Sequence, residues 1–147
     1  MTIEELQLAP VARKAATILH NKYPQLEFTS GRRSIFQQAH AMANNVVLNR
    51  KWIGQTYLAG AKLQQWVDKH PEAESVDAIT AGLEQTMKAM PEAELLKISR
   101  HLTGKAFDVR PVNANAAAIK SAILKLPGLN KFLDKEGGLI RWHAQFQ

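Results

Sequence analysis

Apolar residues recur at helical spacing through the first two thirds of this chain and at alternating spacing later. From about Ile3 to Asn21, Leu6, Val11, Ala15, Ile18 and Leu19 fall near one face between charged positions, which predicts an amphipathic helix. Pro24 interrupts it. Leu26-Glu27-Phe28-Thr29 then alternates apolar and polar like a short strand, and Ser30-Gly31 is turn material. From Ser34 to about Tyr57 the pattern is helical again, with Ser34 as the N-cap and Phe36, Ala39, Ala43, Val46 and Val47 as the apolar stripe. Further helices are predicted at about Ala59–Lys69 and Val76–Ala89, separated by the break at Pro71. A short one covers Glu92–Ile98, with Pro91 where a first turn tolerates proline.

The character then changes. Lys105-Ala106-Phe107-Asp108-Val109 alternates with period two, a strand whose two faces carry different jobs. Ala116 to Leu126 is a compact helix ended by Pro127-Gly128, and after Gly137-Gly138 the stretch Leu139 to Phe146 reads as a final strand. The predicted architecture is α+β: one domain over residues 1–147, with several helices packed on a small antiparallel sheet drawn largely from the second half.

Composition narrows the chemistry. The 147 residues suit a single core, and no apolar run approaches the roughly 20 residues of a transmembrane helix. The start, Met1-Thr2-Ile3-Glu4-Glu5-Leu6, is acidic where a secretory signal is basic, so no export signal is expected. There is no cysteine, which leaves imidazole and carboxylate as the only metal ligands among five histidines and thirteen acidic residues. The net charge of +6 favours anionic partners, among them envelope polymers. The basic residues are scattered, however, with Arg32-Arg33 and Arg50-Lys51 the densest clusters. Aromatics make up only 7%, few for a surface that stacks bases, so no nucleic-acid partner is expected.

The most informative stretch is Ser99-Arg100-His101-Leu102-Thr103-Gly104-Lys105-Ala106-Phe107-Asp108. Gly104 allows a sharp turn after His101, and the strand that follows can return Asp108 beside the imidazole. Ala106 would share the face of Asp108, and its small side chain leaves room there. A lone His-x6-Asp spacing is weak, and a hydrogen-bonded structural pair is its bland explanation. His20 and His70 sit at helix ends, where the helix dipole favours them. His40 lacks a partner histidine four residues away, so no His-Glu-x-x-His zinc helix exists.

The full pattern Ser-x-His-x-x-Gly-x-Ala-x-Asp resembles the signature of the D-Ala-D-Ala metallopeptidases. That family includes zinc D,D-carboxypeptidases, D-Ala-D-Ala dipeptidases and phage L-alanyl-D-glutamate endolysins. Two further segments are similar to family segments and come in the family's order. Thr29-Ser30-Gly31-Arg32-Arg33-Ser34 with Gln37 resembles Ser-Gly-Tyr-Arg-Ser-x-x-Gln, with Arg32 in place of the tyrosine. Trp142-His143 resembles the family's Trp-His near the C-terminus. The resemblance implies a zinc site held by His101, Asp108 and His143. It also implies that Arg33 holds the substrate near its scissile carbonyl or its carboxylate, a task suited to a planar fork of donors. Ser99 would offer a hydroxyl to the substrate or to the loop bearing His101. Gln37 and Trp142 would shape the site, Trp142 pointing to the opposite face from His143 and packing beneath it.

The chain departs from the family where many relatives place a catalytic carboxylate three residues before the last zinc histidine, because that position is Ile140. Glu136 is the first candidate for the acid/base, since the adjacent glycines can bend it into the site, and Asp134 is the second. Gln145 stands where relatives with a His-x-His ending carry their ligand, which leaves His143 as the ligand here. The resemblance implies a zinc-dependent peptidase acting on peptidoglycan stem peptides at bonds involving D-residues, and a monomer is expected. As with a phage endolysin, it would be made in the cytoplasm and reach the wall through a membrane lesion or by dedicated delivery. The alternative is a non-catalytic, basic helical module that binds nucleic acid or an anionic envelope polymer, favoured by the charge and by Ile140.

Overall fold

The computed structural model describes all residues, Met1–Gln147, and has the mixed α+β class, with seven helices and one four-stranded antiparallel sheet. The chain forms two compact units. One comprises Met1–Arg32 with Thr103–Gln147, and the other Arg33–Leu102.

The first unit holds helix α1 (Pro10–Lys22), strand β1 (Phe28–Ser30), strand β2 (Ala106–Val109), helix α7 (Ala116–Leu124), strand β3 (Leu129–Glu136) and strand β4 (Leu139–Phe146). The strands lie in the order β1-β2-β4-β3. Alternation sorts the sheet into two faces. Phe28, Phe107, Val109, Trp142, Ala144 and Phe146 enter a core shared with Ala12, Ala15, Ala16 and Leu19 of α1 and Ile119 and Ile123 of α7. Phe107 binds this core together, with its ring centroid 5.2 Å from Phe28 and 5.3 Å from Phe146. Asp108 and His143 alternate with these core residues and stand directly opposite each other on β2 and β4.

Helix α1 begins at Pro10 rather than at Ile3. Proline suits a first-turn position but has no N–H for the bond that a helix continuing from Leu6 would need. The Leu6 carbonyl accepts from the Arg32 N–H at 2.8 Å instead, and Leu6 is fully buried from a turn. Strand β3 is absent from the sequence-based expectation, which assigned no element between Pro127-Gly128 and Gly137-Gly138. Gly137 and Gly138 have φ of 54° and 81°, the paired positive values of a tight hairpin turn, and they join β3 to β4. Lys135 and Glu136 pair with Ile140 and Leu139, after a register shift between Leu133 and Lys135.

The second unit is helical: α2 (Ile35–Val46), α3 (Trp52–Thr56), α4 (Ala61–Lys69), α5 (Val76–Lys88) and α6 (Glu92–Leu95), ending in a 3₁₀ turn at Arg100–Thr103. Met42 and Val46 of α2 bury against α5, whose Ile79, Leu83 and Met87 are fully buried. The helix expected to run from Ser34 to Tyr57 is two helices. Between them the Asn49 side chain accepts from the Lys51 N–H at 3.0 Å, a local bond that competes with helix continuation. No helix is long and apolar enough to cross a membrane.

Candidate metal centre

The site is built outward from the β2–β4 pair. Asp108 and His143 are register partners, and His143 Nδ1 lies 2.8 Å from Asp108 Oδ1. Ala106, two residues before Asp108, is buried and adds no bulk beyond a methyl group. Upstream of β2, Gly104 adopts φ +73°, a left-handed conformation that costs glycine little. A Cβ there would lie 2.7 Å from Arg32 Nη2 and 3.0 Å from the Ala9 nitrogen. The dihedral angle therefore disfavours a side chain there, and the Arg32 guanidinium would have to move aside to admit one.

His101, Asp108 and His143 form a group whose ligand atoms lie within 4.8 Å of one another. His101 is 2% exposed and His143 6%, so these are not solvated surface histidines. Two imidazoles and one carboxylate form a donor set suited to a divalent transition metal, with a coordination position to spare. The group could hold a metal ion.

Burial is the largest single influence on His143, and it disfavours the charged imidazolium. The hydrogen bond and charge of Asp108, the charge of Glu136 and the hydrogen bond to Gln145 together outweigh it. The net effect is a pKa raised above the ordinary imidazole value.

The backbone of His101 is gripped on both sides. Its N–H donates to Ser99 Oγ at 3.2 Å, and its carbonyl accepts from the Arg33 N–H at 2.9 Å. The buried Ser99 thus gives its oxygen to the loop bearing His101. Arg33 Nη1 donates to Oε1 of Gln38 at 3.3 Å, and the fully buried Gln38 donates in turn to the Tyr57 hydroxyl. Gln37 is occupied elsewhere. Its Oε1 accepts from the Ser34 N–H at 2.9 Å while its own backbone N–H donates to Ser34 Oγ at 3.1 Å, a capping box at Ser34, next to Arg33, that starts α2.

Trp142 is buried in the core of the first unit, with the Lys120 ammonium 5.5 Å from its ring centre. Asp134 is exposed and pairs with Lys120 at 3.2 Å. Glu136, at the hairpin end of β3, is half-buried, and its carboxylate acts on His143 through charge. Ile140 is 61% exposed. The remaining histidines lie outside the metal-ligand group: His20 in the last turn of α1, His40 stacked on Phe36, and His70 2.8 Å from Glu72.

Reasoning from sequence missed three polar partners of the site. Ser30 Oγ donates to Asp108 Oδ2 at 2.5 Å, Gln145 Oε1 lies 3.0 Å from His143 Nε2, and Gln145 Nε2 donates to Asn130 Oδ1 at 3.0 Å. Two of them carried a signal, Ser30 as the first residue of the Ser-Gly-x-Arg segment and Gln145 by its place two residues from His143 on a strand, while Asn130 carried none. Comparison with family models, with curated proteins and with solved structures finds no match to this chain.

Proposed function

We propose that this protein is a zinc-dependent peptidase that cleaves peptidoglycan stem peptides at bonds involving a D-amino acid, of the L-Ala-D-Glu endopeptidase or D,D-carboxypeptidase type. The observation that carries the reading is the convergence of His101, Asp108 and His143 within 4.8 Å, in the order and context of the motif that these residues resemble. Zinc in such a site supplies Lewis acidity and a water acidified towards neutral pH. The chain supplies the rest. Glu136 takes the proton of the attacking water and returns it to the amine nitrogen as the carbonyl–nitrogen bond breaks. Its charge already acts on His143, whereas Asp134 is paired with Lys120. Arg33, oriented by Gln38, binds a carboxylate or the scissile carbonyl of the stem peptide. Ser99 holds the loop that carries His101.

The test joins metal analysis to product analysis. The wild type is expected to bind one zinc per chain and to release new muropeptide termini, identified by mass spectrometry, in a reaction stopped by chelator. His101→Ala, Asp108→Ala and His143→Ala should each lose both metal and cleavage. A protein that takes up no zinc, cuts no muropeptide and shifts nucleic acid at low salt would instead be the basic helical binding module.

A further inference from the structure

One chain of polar side chains crosses all four strands of the sheet. Ser30 on β1 donates to Asp108 Oδ2 on β2, and Asp108 Oδ1 faces His143 Nδ1 on β4. His143 Nε2 meets Gln145 Oε1 on the same strand, and Gln145 Nε2 donates to Asn130 Oδ1 on β3. The order of residues in this chain follows the order of strands, β1-β2-β4-β3.

Asn130 presents Oδ1 to the amide nitrogen of Gln145, which leaves the Gln145 oxygen facing His143 Nε2. An amide oxygen is itself only an acceptor, so His143 Nε2 must carry the hydrogen of that bond. When the Nδ1 proton is absent, the imidazole is therefore held as the Nε2–H tautomer. The Nδ1 lone pair then points to the side where Asp108 lies. At the other edge, the Ser30 hydroxyl occupies Oδ2 of Asp108 and turns Oδ1 towards His143.

We infer that Gln145, oriented by Asn130, is a positioning residue that makes Nδ1 the metal-binding atom of His143, and that Ser30 is its counterpart for Asp108. This rests on the reading of His101, Asp108 and His143 as metal ligands, and it adds which atoms bind and what sets them. Residues hydrogen-bonded to metal ligands fix tautomer and ring orientation, and removing one typically costs roughly 10- to 100-fold in affinity. The arrangement also accounts for a glutamine two residues after His143. It serves the site as an acceptor on the far nitrogen of the ring.

The experiment measures zinc affinity by competition with a chromophoric chelator and reads the His143 tautomer by long-range ¹H–¹⁵N correlation in the zinc-loaded full chain. The wild type should show Nε2 protonated and Nδ1 bound to metal. Gln145→Leu removes the acceptor at a partly exposed position, and it should weaken zinc binding roughly 10- to 100-fold. Gln145→Glu keeps an acceptor at the same reach and should restore most of the affinity. Asn130→Ala, at an exposed site, should weaken binding less, and add nothing once Gln145→Leu is present. Ser30→Ala should weaken binding in a background where the His143 tautomer is unchanged. Zinc bound through Nε2 of His143, or Gln145→Leu binding as tightly as wild type, overturns the inference and leaves the metal site standing. A wild type that takes up no zinc overturns both.

Discussion

Two carboxylates two residues apart on β3 sit in different surroundings, and the proposed mechanism uses the one whose charge acts on His143. Asp134 is exposed and tied to Lys120, while Glu136 is half-buried and contributes to the charge felt by His143. Glu136→Gln should therefore keep zinc yet lower kcat by at least about 100-fold, the usual contribution of a positioned acid/base. Asp134→Asn should leave kcat within about twofold of wild type, since it breaks only an exposed ion pair. Stopped muropeptide digests with metal content measured in parallel check both, and an active Glu136→Gln variant would remove that residue from the mechanism. The His101, Asp108 and His143 group is legible in sequence through the resemblance of Ser-x-His-x-x-Gly-x-Ala-x-Asp and Trp-His to a metallopeptidase signature, whereas the lack of cysteine and the His-x6-Asp spacing alone leave the ligands open. The bonds that Ser30, Gln145 and Asn130 make to the site are not legible there. They run from side chain to side chain, two of them across strands, and cross-strand partners depend on register, which local patterning leaves unspecified.

At the scale of elements, the turn at Gly104 separates His101 from the strand that carries Asp108. Gly104→Ala would force a Cβ into a left-handed conformation beside Arg32 and Ala9. The dihedral alone costs about 1–2 kcal/mol. The variant should unfold at lower denaturant and bind zinc more weakly, with the wild-type β2–β4 register retained in its amide spectra. Unchanged zinc affinity would mean that the turn is a connection and no more. The strands β2 and β4 and the Ser34 cap could be read from alternation and from a serine followed three residues later by glutamine. Helix α1 was expected to begin too early because Leu6 fits the apolar stripe yet is buried from a turn that Arg32 completes, a contact far away in sequence. Strand β3 carried a readable signal: Gly137-Gly138 between Leu129–Glu136 and Leu139–Phe146 is the length and composition of a two-residue hairpin turn. Its half-exposed residues gave no clean alternation, and the register shift after Leu133 blurs what there is.

For the whole molecule, a bound metal would compete with the proton for the same imidazole, and the two contributions to stability would change with pH in opposite directions. The raised pKa of His143 means that the folded, metal-free chain holds this proton more tightly than the unfolded chain does. That contribution is fully present below the unfolded value of about 6.5 and is lost as pH rises through the higher folded value. Metal binding needs the imidazole neutral, so uptake strengthens over the same rise. A cation that binds only the folded state adds about 2.7 kcal/mol at a free concentration one hundred times its Kd. For a chain of this size, that corresponds to roughly 5–10 °C in Tm. The gap between zinc-loaded and chelator-treated melting temperatures should therefore widen as pH is raised from about 5.5 to about 8, the chelated protein falling as the loaded one holds. In His143→Gln both trends should vanish, because neither the proton nor the metal has its nitrogen. A gap that is constant with pH, or that narrows as pH rises, would show that His143 does not exchange its proton for a metal.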